Sequence, residues 1–270
     1  MVRHPNRASA SESAGLWSES PSFSLTRGYH CDGILADEIG AIHSRLLTND
    51  LNMTDAIDKL LSAAAQARRE KRHADAHRDL LEAVTLARSG NDRHELARAL
   101  TELGRIERDM GHADAALASY QEAAAIYRAQ GDSLKLAHTV RHVGDILQDA
   151  GRPAEAEPCF REAIALYRAN PDTPALDMAN ALRPLALLKN NAGEFDEADR
   201  LWDGAKELYA AMKVFPGVAE CAGRQALLAS RRKNPELARR LLAEATAAAE
   251  KSGDNNSVRY VNEIRTSISG

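Results

Sequence analysis

Along most of the chain the apolar positions recur three and four residues apart, and the small and large ones follow a fixed order. A small residue is followed four places on by a large one and three places later by another Ala. This gives Ala76/Leu80/Ala83, Ala116/Tyr120/Ala123, Ala156/Phe160/Ala163, Ala198/Trp202/Ala205 and Ala238/Leu242/Ala245, at intervals of about 40, 40, 42 and 40 residues. Residues three and four apart share one face of a helix, so each triplet predicts an amphipathic helix. The alanines admit a neighbouring helix closely, and the large side chain fills the gap between them. Upstream of each lies a second apolar stripe: Leu60/Ala63/Ala64, Leu100/Leu103/Gly104, Val140/Val143/Gly144, Leu182/Leu185/Ala186 and Ala222/Ala226. Gly104 and Gly144 in a helix interior each cost up to ~1 kcal/mol relative to Ala, which suits a near contact between two backbones.

Turn chemistry separates the segments. Gly111, Gly151 and Gly193 stand where a helix end needs a left-handed residue. Pro153 and Pro235 fit the first turn of the following helix, with Asn234 as the cap before Pro235. Between copies come Gly90-Asn91-Asp92, Gly131-Asp132, Asn170-Pro171-Asp172 and Gly253-Asp254, again a stop followed by a cap. Pro158 and Pro184 fall inside predicted helices, and the expectation is a kink, or a helix that starts late at Pro158. Pro184 also leaves a backbone carbonyl near Asn180 without its helical donor.

The pattern divides the chain into five helix pairs over 54–93, 94–133, 134–175, 176–215 and 216–254. Residues 255–270 form a capping helix with its stripe on Val258, Val261, Ile264 and Ile268, Glu263 lying among them. Residues 1–33, rich in Ser and Arg and without period, are expected to be disordered. Residues 34–53 hold a short helix and linker, and Thr54 reads as the N-cap of the first repeat. A natural start at Met53 fits that boundary as well; native peptides from 9–45 would exclude it.

With these residues in place the chain resembles the tetratricopeptide repeat family. The second copy carries the family's spaced positions at Leu100, Leu103, Gly104, Ala116 and Tyr120, but has Glu107 where the family prefers an aromatic and Arg128 where it prefers Pro. The period near 40 is similar to that of the long-helix members, kinesin light chains and bacterial regulators. The resemblance spans Thr54–Asp254. It implies an all-α, right-handed α-solenoid of five antiparallel helix pairs plus the cap, whose first helices line a concave groove.

Carried over position by position, the resemblance puts Arg98, Thr101, Arg105 and Arg108 on the groove from the second copy, and His138, Arg141, Asp145 and Gln148 from the third. The fourth gives Asn180, Arg183, Leu187 and Asn190; Asp58 and Arg68 extend one end, Glu220, Leu227 and Ser230 the other. Arg98, Arg105, His138, Arg141, Asn180 and Arg183 are the candidate binding residues, because forked guanidinium groups from adjacent helices suit carboxylates. The competing reading is ordinary helix surface, with Arg105 and Asp109 paired one turn apart. The Lys/Asn/Arg clamp of the family's chaperone-tail binders is not reproduced.

Composition changes this picture little. Lys plus Arg total 35 against 39 Asp plus Glu, a net charge of −4 that gives no global pull toward nucleic acid or membrane. Cys31, Cys159 and Cys221 form no CxxC pair, which favours a reducing, cytoplasmic setting without a metal or disulfide framework. Phosphate-loop, dinucleotide and nucleophile-elbow motifs are missing, so no enzyme and no cofactor is expected. His138, His142, Asp145 and Asp149 line one helix face and form the rival metal site, disfavoured by Arg141 in their midst. Tyr127, Tyr167 and Tyr209 recur at one helix position and read as packing with a polar tip. The expected function is binding of a protein or peptide, acidic or ending in a carboxylate, as an adaptor. A peptide-responsive sensor is the alternative, and a self-assembly module a third; the oligomeric state is left open.

Overall fold

A computed structural model describes residues 52–269. The expectations for residues 1–33 and 34–51, and Cys31 with them, lie outside the described residues. Eleven helices follow one another: α1 over 52–69, α2 His73–Ser89, α3 Arg93–Asp109, α4 Ala113–Gln130, α5 Ser133–Asp149, α6 Pro153–Ala169, α7 Ala175–Asn191, α8 Phe195–Ala211, α9 Phe215–Arg231, α10 Pro235–Ser252 and α11 Asn255–Ser269. There is no strand among the described residues. Each helix packs on the one before and the one after it in the chain, which makes the fold an α-solenoid.

Nearly every turn is closed by the same device. One residue takes the left-handed conformation, and the two N–H groups after the helix bond back to its last carbonyls. Gly111 at φ +79° donates to Arg108 O and His112 to Glu107 O; Gly151 at φ +70° and Arg152 repeat this on Gln148 O and Leu147 O. Lys71, Asn91, Lys213 and Lys233 fill the same place at φ of 55–59°, at a cost a glycine would avoid. The α6–α7 junction differs. Residues 170–174 bridge it without a left-handed residue, held by Asp172 N–H on Asn170 Oδ1 at 2.9 Å and by the Thr173 hydroxyl on Tyr167 O at 2.7 Å. This longer bridge supplies the two extra residues in the 42-residue interval.

The triplets form the interior. All three members are buried in the first four copies, and Ala116, Ala123, Ala156, Ala163, Ala198 and Ala205 are fully enclosed. In the fifth copy Leu241, not Leu242, is the buried leucine beside Ala238 and Ala245. Gly104 and Gly144 are short of a side chain for a different reason from the one expected. A Cβ on Gly104 would stand 2.8 Å from the Tyr120 ring, and one on Gly144 2.7 Å from the Phe160 ring. Aromatic faces, rather than second backbones, lie against these glycines.

Four further expectations are corrected. The first helix is already formed at residue 52, so Thr54 sits within it and cannot cap it. Ala63 is exposed, while Ile57, Ala64 and Ala67 make the buried face of α1. In α11 the inner face is Ser257, Val261 and Ile264, and Val258 is 38% exposed. Finally, α6 runs from Pro153 straight through Pro158, so there is no late start; the Pro158 ring is exposed. The Pro153 and Pro235 positions and the Asn234 cap, which accepts from Leu237 N–H at 3.1 Å, are as predicted.

Candidate functional site

The odd-numbered helices line a row of open cavities. The first, about 860 Å³, lies over α1, α3 and α5 and is bordered by Asp58, Arg98, Arg105, Lys135, His138 and Asp177. The second, about 560 Å³, lies over α5, α7 and α9 with Arg108, Arg141, Gln148, Asn180, Arg183 and Glu220. The six candidate residues therefore divide three and three: Arg98, Arg105 and His138 face the first space, Arg141, Asn180 and Arg183 the second. A third cavity of about 440 Å³ shares Asn180, Arg183 and Glu220 with the second and runs on to the capping helix.

Each candidate arginine has an acid of its own chain. Arg98 reaches Glu95 at 2.7 Å and Asp58 at 3.0 Å; Arg105 reaches Glu102 at 3.3 Å; Arg183 reaches Glu220 at 2.9 Å. The expected Arg105–Asp109 pair does not form, because Arg68 from α1 takes Asp109 at 2.6 Å. Thr101 turns inward and donates to Ala97 O at 2.7 Å, leaving it a minor part of the wall.

The densest cluster surrounds Asp145. Arg141 Nη1 lies 2.7 Å from Asp145 Oδ2 and Arg108 Nη1 3.4 Å from the same oxygen. Arg141 Nη2 also lies 2.7 Å from His142 Nε2. A guanidinium can only donate, so Nε2 accepts; Nδ1 lies 3.1 Å from Arg108 Nη1 and 3.3 Å from Asp145 Oδ2. His142 is thus a neutral ring stacked on Tyr120 at 5.2 Å, with His138 edge-on at 4.6 Å. Burial, with the nearby His142 ring and the Arg141 and Arg105 charges acting in the same direction, pushes His138 down to about 3. Burial likewise brings His142 down to about 4, although the Asp145 hydrogen bond opposes it. Burial works to raise Asp145, but the His142 hydrogen bond and the Arg141 and Arg108 charges outweigh it and hold the carboxyl below its usual range.

This arrangement speaks against the metal reading of His138, His142, Asp145 and Asp149. Guanidinium groups flank both nitrogens of His142, and among the described residues no three His, Cys, Asp or Glu side chains are placed to hold an ion. Two polar atoms at the second cavity are nevertheless unfilled. Arg141 Nε and Gln148 Oε1 are buried and have no hydrogen-bond partner. Arg141 itself is only 9% exposed.

The tyrosines behave as read, with one addition. Tyr127, Tyr167 and Tyr209 are buried, yet the edges of Tyr127 and Tyr209 reach the first and third cavities. Tyr209 donates to Asn180 Oδ1 at 2.7 Å, and Asn180 lines both the second and the third cavity. Residues outside the carried-over set also shape the space: Trp202 and Pro184 floor the second cavity, and Arg224 and Tyr260 wall the third.

Fold and cavities together define a helical-repeat scaffold with an open row of cavities along its odd-numbered helices. The family model described as Tetratricopeptide repeat matches residues 95–169, the second and third helix pairs, which are therefore similar to tetratricopeptide repeats. BtubC (BKLC) from P. vanneervenii has a similar structure, with TM-score 0.68 at 14% identity over 81% of this chain and 89% of that one. MamA 41-end from Desulfovibrio magneticus RS-1 is similar at TM-score 0.55 and 14% identity, covering 74% and 98%. A Rap protein complexed with Competence and Sporulation Factor is similar at TM-score 0.59 and 13% identity, covering 79% of this chain and 65% of that one. At these identities the likeness is one of fold. No curated protein matches the chain. Among the described residues no helix is long and apolar enough to cross a membrane.

Proposed function

We propose that this chain is a non-enzymatic scaffold of the cytoplasm that holds a protein or peptide in the channel lined by its odd-numbered helices, with acidic groups of that partner directed at the arginine-bearing wall. The observation that carries this is the second cavity. There a buried guanidinium N–H and a buried amide oxygen lack partners beside Arg183 and Asn180. An unfilled buried polar atom costs about 1–3 kcal/mol, and a peptide unit, offering one acceptor and one donor, would relieve both. A fold built of such repeats, and the solved complex of a similar Rap protein with a bound factor, support the reading.

The test is affinity capture with mass spectrometry, run in parallel on the wild type, Arg141→Glu and Arg183→Glu. Arg183 is 44% exposed at its side chain against 11% for Arg141, so its reversal is expected to disturb the fold less than Arg141→Glu does. A partner that is lost from both variants is the expected result; unchanged capture removes the groove. The sensor alternative draws on the α6–α7 bridge, the one inter-helix turn described here without a left-handed residue and the natural place for the array to flex. Small-angle scattering that shows compaction when the captured partner is added favours the sensor; an unchanged profile favours a rigid adaptor.

A further inference from the structure

Two side chains of one helix set the chemistry at the floor of the second cavity. Arg141 and Gln148 stand seven residues apart on α5, two turns along the same face, and both border the cavity. Arg141 bends toward the C-terminal end of α5, since its Nη1 lies 2.7 Å from Asp145 Oδ2 one turn on. Gln148 stands a further turn beyond Asp145, and helical side chains lean toward the N-terminus. The two side chains therefore converge over the turn that carries Asp145. Each keeps a buried atom without a hydrogen bond: the Arg141 Nε–H is a donor, and Gln148 Oε1 is an acceptor.

Charge at this cavity is already balanced. Arg108 and Arg141 share Asp145, and Arg183 reaches Glu220 at 2.9 Å. Asp149, exposed at the edge, adds a third carboxylate beside these three arginines. What the floor lacks is a neutral pair, one acceptor and one donor. A carboxylate has acceptors only, so it would leave Gln148 Oε1 unmet and would face Asp145 as well. A backbone peptide group holds its C=O and N–H on opposite edges of a planar trans unit and would have to lie across the floor. A primary amide presents both on one edge, at the tip of a side chain that can reach down to buried atoms. Trp202 and Pro184 beneath give its stem an apolar seat.

We infer that the second cavity receives a side-chain carboxamide of the bound partner, from a glutamine or an asparagine. Its oxygen accepts from Arg141 Nε–H, and its N–H₂ donates to Gln148 Oε1. Acidic residues of the partner stay at the rim, where the Arg183 side chain is 44% exposed. This rests on the groove reading above, and adds to it the residue type that reaches the floor.

The probe is a set of synthetic nonapeptide mixtures titrated against the full chain. The central position is fixed as Gln, Asn, Glu or Leu, and the others are drawn from Ala, Ser, Leu and Asp. N-termini are acetylated and C-termini are free acids, so the central side chain is the only primary amide. The better of the Gln and Asn mixtures, which reports the depth of the site, is expected to bind roughly tenfold more tightly than the Leu mixture. It should also bind more tightly than the Glu mixture, although three arginines border the cavity. Gln148→Leu removes the acceptor and should abolish the preference while leaving Leu-mixture binding as it was. Gln148→Glu keeps an acceptor and should keep the amide ahead of Leu. Glu binding as well as the amides overturns the inference, and so does a Gln148→Leu loss shared equally by every mixture. If the four mixtures bind alike and all are lost in Arg183→Glu, the groove stands and only the amide site falls. If none binds, both fall.

Discussion

Two rows of ion pairs run along this molecule, and they are built on opposite principles. On the even-numbered helices Arg88 meets Glu122 and, 40 residues on, Arg128 meets Glu162; both pairs are 2.7 Å long with side chains 54% and 42% exposed. On the odd-numbered helices the pairs do not repeat. Arg141, 11% exposed at its side chain, and Arg108 share one carboxylate with a neutral histidine, while the equivalent place in the next copy holds Arg183 reaching across to Glu220. Where the chain repeats itself the outcome is a solvated ladder of low value per rung. Around the second cavity the charges are instead buried, shared or, at Arg141 Nε, without a partner.

This contrast can be broken in several ways. Asp145→Ala leaves Arg141 buried without its counter-charge and should cost about 3 kcal/mol or more in urea unfolding. A loss as small as a rung of the outer ladder would mean that the cluster is effectively solvated. Ala116→Leu and Ala156→Leu overpack fully buried contacts and should each cost ~1–3 kcal/mol, whereas Ala118→Leu, on an exposed position, should stay near zero. Equal effects at all three would reverse the assignment of faces.

Protonation gives a third handle. His138 and His142 bind protons less readily folded, at about 3 and about 4, than in the unfolded chain near 6.5. The unfolded state therefore holds more protons between those values, and stability falls as the pH drops from about 6.5 toward 4. Melting temperatures of His142→Gln should fall less steeply over that window than those of the wild type; parallel curves would show that these rings do not set the slope. The smallest effect is expected on the outer row, where Glu122→Ala and Glu162→Ala should each change stability by less than about 0.5 kcal/mol, and by the same amount as each other. Unequal losses would show that the two rungs are not the copies their geometry suggests.

Much of the architecture was legible because it is local. A spacing of three and four, a glycine at a helix end and a proline in a first turn act within a few residues, and Gly111, Gly151, Gly193, Pro153 and Pro235 are found where those rules put them. The misreadings share a cause as well. Ala63 and Val258 satisfy an apolar pattern on paper, but which of two adjacent residues turns inward depends on the neighbouring helix. Arg105 had Glu102 and Asp109 within one helical turn, and Arg68 from another repeat settled the choice. Of the site, the six candidates do reach the cavities, yet their acid partners, the unfilled Arg141 Nε and the Arg224–Tyr260 pair were out of view.

The amino-acid order by itself determined that small side chains in phase would let successive helix pairs nest, since helix periodicity and close packing need only nearest neighbours in the chain. The assembled array alone decided which guanidinium groups meet an acid from another repeat, as Arg183 meets Glu220, and which, like Arg224, meet an aromatic face instead. Those partners come from helices about forty residues away, where no local rule of spacing reaches.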